Sequence, residues 1–197
     1  MARAPIHSAS GKLRIIGGSL RNSRLTVPDR PGLRPTADRV RETLFNWLMP
    51  VIDGARCLDL FAGTGALGIE ALSRGAAWVD FVESDAALAQ ALKDNLARLK
   101  QERAAVRSAD ALHLLEDAPA HAYDIAFVDP PFAADWWNPA AGALDAHGWL
   151  KPHAWIYVEA PARATLALPP SWQLHRESTA GAVRFALYRR AEPSAKL

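Results

Sequence analysis

Asp129-Pro130-Pro131-Phe132 concentrates more chemistry in four residues than any other stretch of this sequence. Two consecutive prolines fix φ and remove two backbone N–H donors. The turn that remains is rigid and presents acceptors, the Asp129 carboxylate and the Pro130 carbonyl, beside the flat face of Phe132. An aromatic amine is a poor nucleophile because its lone pair is delocalised into the ring. Acceptors on its two N–H bonds draw it towards a tetrahedral, more nucleophilic shape. They also stabilise the positive charge that develops on nitrogen as it attacks an electrophile. Holding amine and electrophilic methyl in line supplies the remaining catalysis. Phe132 would stack on the base, a contact worth ~1–3 kcal/mol. Methyl transfer to an exocyclic base amine asks for this set, and it requires neither a metal nor a covalent intermediate. Asp129, Pro130 and Phe132 are therefore the candidate catalytic residues.

The second chemical signal is Leu58-Asp-Leu-Phe-Ala-Gly63-Thr-Gly65-Ala-Leu-Gly68, in which Gly63, Gly65 and Gly68 satisfy G-x-G-x-x-G. Glycines let a backbone turn tightly and approach a ligand closely. The motif alone fits a nicotinamide cofactor, S-adenosylmethionine or a bare turn. A nicotinamide enzyme needs a second mononucleotide-binding half, and no second glycine loop follows a strand here. Asp59 precedes the loop, where a carboxylate suits the cationic amino-acid end of S-adenosylmethionine and would do little for a pyrophosphate. Glu83 comes 20 residues after Gly63, where an acid binds ribose hydroxyls in such folds. Asp110 follows the next strand, where it can accept from an adenine amino group, cap a helix, or do both. Phe61, Gly63 and Gly65 of the loop and Ala111 beside Asp110 complete the expected cofactor contacts.

These residues need elements to hold them. Arg56 to Phe61, Ala77 to Glu83, Ala104 to Ser108, Tyr123 to Asp129 and Ala154 to Glu159 read as strands. Helices are expected from the glycine loop to about Arg74, from Asp85 to about Lys100, over Asp110 to Glu116 and around Pro139 to Ala146. This alternation predicts a Rossmann-like α/β fold with a mostly parallel, doubly wound sheet. Trp172 to Ser178 and Val183 to Arg189 close it as an antiparallel hairpin turning near Ala180-Gly181. Residues 1–50 form an expected extension to the domain of residues 51–197. Within it, Leu13 to Gly18 and Leu20 to Val27 predict a small hairpin turning at Gly17-Gly18. Val40, Leu44, Trp47 and Leu48 then mark the buried stripe of a helix, with Thr36 as its N-cap and Arg39, Arg41, Glu42 and Asn46 outside the stripe.

The 197 residues suit one domain with a small appendage. No apolar run is long enough to span a membrane, and residues 1–11 lack the apolar core of a secretory signal. Cys57 is the single cysteine, which excludes an internal disulfide and a thiolate zinc cluster and fits a cytoplasmic protein. The net charge of +2 is unevenly spread. Residues 1–41 hold nine Lys and Arg against two Asp, which is +7 and leaves the rest of the chain at −5. A basic arm on an acidic body is a footprint of proteins that meet phosphate, although a solvated tail has the same composition. Lys12, Arg14, Arg21, Arg24, Arg34 and Arg39 are the candidate phosphate contacts.

Together, Asp59 to Gly68 and Asp129 to Phe132 resemble the Rossmann-like amino-methyltransferases. Arg14-Ile-Ile-Gly-Gly18, Leu33-Arg-Pro-Thr36 and Arg39-Val-Arg-Glu-Thr-Leu-Phe-Asn46 are more specific. They look like the bacterial 16S ribosomal RNA guanine-N2 methyltransferases acting on the guanosine known as 966 in ribosomal numbering. The resemblance covers residues 12 to 190. It implies N2-methylguanosine and S-adenosylhomocysteine as products, and the small ribosomal subunit or an assembly intermediate as substrate. It also implies that residues 34–46 cover the cofactor's methionine end and part of the RNA face, with Thr36 and Arg39 as functional positions. A monomer is expected. Three rivals use related features. A DNA adenine methyltransferase needs a target-recognition region for base edges, for which the chain has no room. A glutamine methyltransferase of a release factor typically has Asn first and Tyr last in its Pro-Pro turn. A non-catalytic RNA-binding module would not need Asp59, Glu83 and Asp129 together.

Overall fold

A computed structural model describes residues 12–28 and 36–191. Nine strands and five helices follow one another as β1 Lys12–Arg14, β2 Arg24–Thr26, α1 Asp38–Leu48, β3 Arg56–Asp59, α2 Ala66–Ser73, β4 Trp78–Glu83, α3 Ala86–Arg98, β5 Ala104–Ser108, α4 Ala111–Leu114, β6 Tyr123–Val128, α5 Trp137–Ala146, β7 Leu150–Pro161, β8 Trp172–Ala180 and β9 Val183–Arg190. Seven strands form one sheet in the order β5-β4-β3-β6-β7-β9-β8. The first five of that order pair in parallel. β9 pairs antiparallel with both β7 and β8. The order reverses at β3, whose neighbours are β4 and β6, and ligands of open α/β sheets bind outside the strand ends at such a switch point.

Strand alternation divides the core. Cys57, Phe81, Phe127 and Tyr157 point to one face, which packs with α1, α2, α3 and the β1–β2 hairpin. Leu58, Val82, Val128 and Val158 point to the other, which packs with α4 and α5. These strands are buried on both faces, which is why they read as short continuous apolar runs. β7 starts at Leu150, four residues before its apolar pattern, because residues 151–153 are exposed and carry no burial signal. Cys57 is buried, and burial with the nearby Asp124 and Asp59 charges pushes its thiol upward, away from reactivity.

The N-terminal hairpin corrects the sequence reading. Lys12 pairs with Thr26 and Arg14 with Arg24, so the turn spans the residues between the strands and does not close at Gly17-Gly18. The glycines instead lie against the end of α2. The N–H groups of Ile16 and Gly17 each donate to the Glu70 carboxylate at 2.8 Å. Ser19 N–H donates to the Ser73 carbonyl at 2.7 Å. Gly18 has φ of 75°, and a Cβ there would lie 1.9 Å from the Ser73 carbonyl oxygen. Only glycine permits that approach. Asn95 Oδ1 accepts from Thr26 N–H at 3.0 Å, and Asn95 Nδ2 donates to the Thr26 carbonyl at 2.9 Å. Residues 13–27 are therefore docked on the core and are not a solvated tail.

α1 corrects a second expectation. Arg41 is fully buried. Its Nη2 donates to the Arg14 carbonyl at 2.9 Å and to Asp38 at 2.6 Å, and its Nη1 lies 3.7 Å from Glu70. Glu70 is also fully buried and accepts from Arg74 Nε at 2.9 Å. The N-cap is Ala37, without a side-chain cap. The Thr36 hydroxyl turns instead to Asp129.

Candidate active site

A cavity of about 770 Å³ opens at the carboxyl ends of the parallel strands, well within the range of small-molecule sites. Its acids come from five adjacent strands in spatial order: Asp110 after β5, Glu83 on β4, Asp59 on β3, Asp129 after β6 and Glu159 on β7. Asp85 is the sixth carboxylate, and no Lys, Arg or His is among the described lining residues. Such a lining attracts a cation and repels a pyrophosphate. S-adenosylmethionine, with a sulfonium and an ammonium, fits the charge of this site.

The glycine loop turns under that cavity. Gly63 and Gly65 have positive φ, 51° and 76°, and Gly65 is the N-cap of α2. A Cβ on Gly68 would lie 2.1 Å from the Phe81 ring, so the third glycine lets α2 press on β4. Two carboxylates fix the loop. Asp59 accepts from Gly68 N–H at 3.0 Å. Glu83 accepts from Gly63 N–H and Asp85 N–H, both at 2.7 Å. Burial pushes the Asp59 carboxyl up to about 7; the Gly68 N–H opposes that and the Glu83 charge adds to it. Asp110 caps α4 by accepting from His113 N–H at 2.9 Å, and it lines the cavity together with Ala111. Phe61 stacks on Trp136 with ring centres 6.0 Å apart, and both line the same wall.

Asp129, Pro130, Pro131 and Phe132 also line the cavity. Phe132 is 39% exposed, unusual for a large apolar side chain in this protein, and so offers a face for stacking. Behind it, Trp137 is buried with ring centres 6.0 Å apart, and its Nε1 donates to the Glu159 carbonyl at 2.7 Å. Thr36 is buried, and its hydroxyl donates to Asp129 Oδ2 at 3.3 Å. The threonine expected to cap α1 instead orients the candidate catalytic carboxylate. Burial, then the Glu159 and Asp59 charges, push Asp129 well above the usual carboxylate range; the Thr36 hydroxyl pulls it down.

Every proposed cofactor residue except Gly65, and all three catalytic candidates, line one cavity; Gly65 lies beside it as the N-cap of α2. Arg14, Arg21, Arg24 and Arg39 are exposed on the hairpin and α1. Arg14 Nη2 lies 3.5 Å from Asp38. Lys12 is placed by its backbone in β1, and Arg34 lies outside the described residues. Glu159 was not foreseen: it belongs to no motif, and only the pairing of β6 with β7 reveals it.

The family model described as Conserved hypothetical protein 95 matches residues 13–189. Ribosomal RNA small subunit methyltransferase D of Escherichia coli strain K12 is 51% identical over 189 residues, covering 95% of each chain. The protein of the same name from Haemophilus influenzae is 45% identical over 191 residues, covering 95% of this chain and 99% of its own. Among solved structures, an Escherichia coli protein named as a methyltransferase superposes with a TM-score of 0.86 at 47% identity, covering 93% of this chain and all of its own.

Proposed function

The chain belongs to the family described as Conserved hypothetical protein 95, and from that premise we propose that it methylates the exocyclic N2 amine of a guanine in 16S ribosomal RNA. The observation that carries the chemistry is the row of acids along five strand ends, with the Asp-Pro-Pro-Phe turn beside Asp59 and the glycine loop. The named relatives act on small-subunit ribosomal RNA, which supports that substrate. S-adenosylmethionine, when bound, supplies an electrophilic methyl on a sulfonium.

The chain's residues divide the labour along the sheet. Asp110 and Ala111 on one side, and Glu83 next to them, meet the adenosine. Asp59, with Phe61, Gly63 and Gly65 around it, holds the ammonium end. Thr36 occupies Asp129 Oδ2, which turns the other oxygen to the amine. Asp129 and the Pro130 carbonyl then accept from the two N2 hydrogens, while Phe132 stacks on the flipped base. Asp129 must be ionised for this, and the Thr36 hydroxyl favours that form against burial and the neighbouring carboxylates. Arg14, Arg21, Arg24, Arg34, Arg39 and Lys12 meet phosphates. The proposed actor is a monomer in the cytoplasm, and its substrate is the small subunit or an assembly intermediate.

The test is mass spectrometry of nucleosides from small-subunit particles incubated with the protein and methyl-labelled S-adenosylmethionine. Labelled N2-methylguanosine is expected. Label on adenosine, or on protein alone, would replace this reading with one of its rivals.

A further inference from the structure

The cavity holds one more carboxylate at its base end than amine activation uses. Val128 of β6 pairs with Val158 of β7, so the next residues, Asp129 and Glu159, stand side by side at the ends of neighbouring parallel strands. Both line the cavity. Each lies two residues beyond a ring of the same core face, Phe127 and Tyr157, so both side chains leave the sheet on that face. Glu159 is only 7% exposed. Its Oε2 accepts from the Tyr157 hydroxyl at 2.7 Å, and Tyr157 is fully buried against Phe127 with ring centres 6.4 Å apart. Its backbone carbonyl accepts from Trp137 Nε1. Side chain and backbone are thus both held by buried aromatic donors.

Position along the sheet says which ligand Glu159 meets. The adenosine acids lie on β5 and β4 and the methionine acid on β3, with β6 between β3 and β7. Glu159 is therefore on the far side of Asp129 from the cofactor, where the base must sit. Among bases with an exocyclic amine, adenine and cytosine flank that amine with ring nitrogens that only accept. Guanine alone places a ring N–H, N1, next to its amine. N1 and N2 of guanine together carry three hydrogens, and Asp129, the Pro130 carbonyl and Glu159 offer three acceptors. An adenine or cytosine would instead turn a ring lone pair towards a buried carboxylate, which is repulsive.

We propose that Glu159, positioned by Tyr157, accepts the N1–H of the target guanine and is a specificity-determining residue of this pocket. The proposal rests on the guanine-N2 reading above. The proximity of the two carboxylates agrees with the raised pKa of Asp129, and a guanine edge that donates to both relieves their repulsion.

The test compares guanosine with 2-aminopurine riboside, ligated into the target position of a reconstituted small-subunit particle. The analogue keeps the C2 amine but has an acceptor at N1. Single-turnover methylation of both substrates is measured with the wild-type chain and with Glu159→Gln. The wild type should prefer guanosine. Glu159→Gln should shrink that preference by about tenfold or more, because a charged hydrogen bond to guanosine is removed while the amide can donate to N1 of the analogue. Cofactor affinity by calorimetry should stay unchanged. If both rates fall by one factor and the preference is unaltered, Glu159 is structural and the proposal is overturned. Should Glu159→Gln lose cofactor binding, Tyr157→Phe is measured instead; a reduced preference supports the proposal and an unchanged one overturns it. Wild-type product analysis separates the two readings. A product other than N2-methylguanosine sinks the functional reading itself, whereas N2-methylguanosine with an unmoved preference sinks only the role of Glu159.

Discussion

In the proposed mechanism Asp129 acts on a charge that exists mainly in the transition state, so its loss should appear in rate and hardly in cofactor binding. Asp129→Ala is expected to slow single-turnover methylation of small-subunit particles by about a hundredfold or more, with nearly unaltered affinity for S-adenosylmethionine. Asp129→Asn should be milder, since an amide oxygen still accepts. Phe132→Ala should raise KM as well as slow turnover, and Phe132→Tyr should be nearly neutral. Near-wild-type methylation by Asp129→Ala would mean that another group handles the amine. Asp59 makes a different prediction. Its carboxyl is pushed up to about 7 in the cofactor-free protein, and only its ionised form holds an ammonium. Cofactor binding should therefore release a proton, and affinity should rise as pH increases through about 7, until the ammonium titrates near pH 8. Stability of the cofactor-free protein runs the other way. The folded pKa lies above the unfolded value of 3.8, so the folded state holds the extra proton. Stability then falls as pH rises from about 4 to about 7. Asp59→Asn should flatten both dependences. Calorimetry across that range checks this, and a pH-independent affinity in the wild type would contradict it.

At the scale of elements, what the sequence reveals depends on how local the signal is. The strands and the glycine turn are legible because each is set by a few neighbouring residues. The Asp-Pro-Pro-Phe wall follows from two prolines, whatever surrounds them. Arg41 was misread because a charged side chain counted as solvent-facing. It sits between Val40 and the pair Leu44 and Phe45 on the buried arc of α1, and Asp38, the Arg14 carbonyl and the more distant Glu70 of α2 make that tolerable. Glu70 itself carries no motif and lies within a helix buried on every side. Glu159 became visible only when β6 and β7 paired. Glu70 also joins three elements, since it accepts from the hairpin and from Arg74 and faces Arg41 of α1. Removing Glu70 leaves the Ile16 and Gly17 N–H groups and the Arg74 guanidinium without their acceptor, at a summed cost of about 3–5 kcal/mol. Glu70→Ala should therefore destabilise by about that amount in denaturant unfolding. A Glu70→Ala cost below about 1 kcal/mol would show that the hairpin and α1 dock without it.

Over the whole molecule, charge is segregated as the two proposed ligands of opposite sign require. Carboxylates line the cavity proposed for a cationic cofactor, and the residues up to 41, proposed to meet a polyanion, carry +7. The two regions meet at Thr36, which touches Asp129 and immediately precedes the helix bearing Arg39. An RNA held by the hairpin and α1 would thus be held beside the catalytic turn. Because residues 13–27 are docked, their arginines present a fixed basic surface, and phosphate contacts there should add to affinity through counterion release. Arg21 and Arg24 are the positions to test, being exposed and absent from the cavity lining. Reversing both, as Arg21→Glu with Arg24→Glu, should weaken binding to small-subunit RNA. It should also reduce the slope of log affinity against log salt by roughly 0.7–0.9 for each phosphate that the protein no longer neutralises. Affinity for S-adenosylhomocysteine should not move. Net charge alone would also weaken RNA binding, so a control of equal charge is needed. Lys100 and Arg103 are exposed just before β5, at the end of the sheet opposite the cavity. Reversing those two changes net charge equally without touching the hairpin. If the hairpin pair flattens the salt dependence more than the control pair, the arm is the RNA-binding surface. If the two pairs behave alike, the arm contributes only to the overall field, and the phosphate contacts must lie elsewhere.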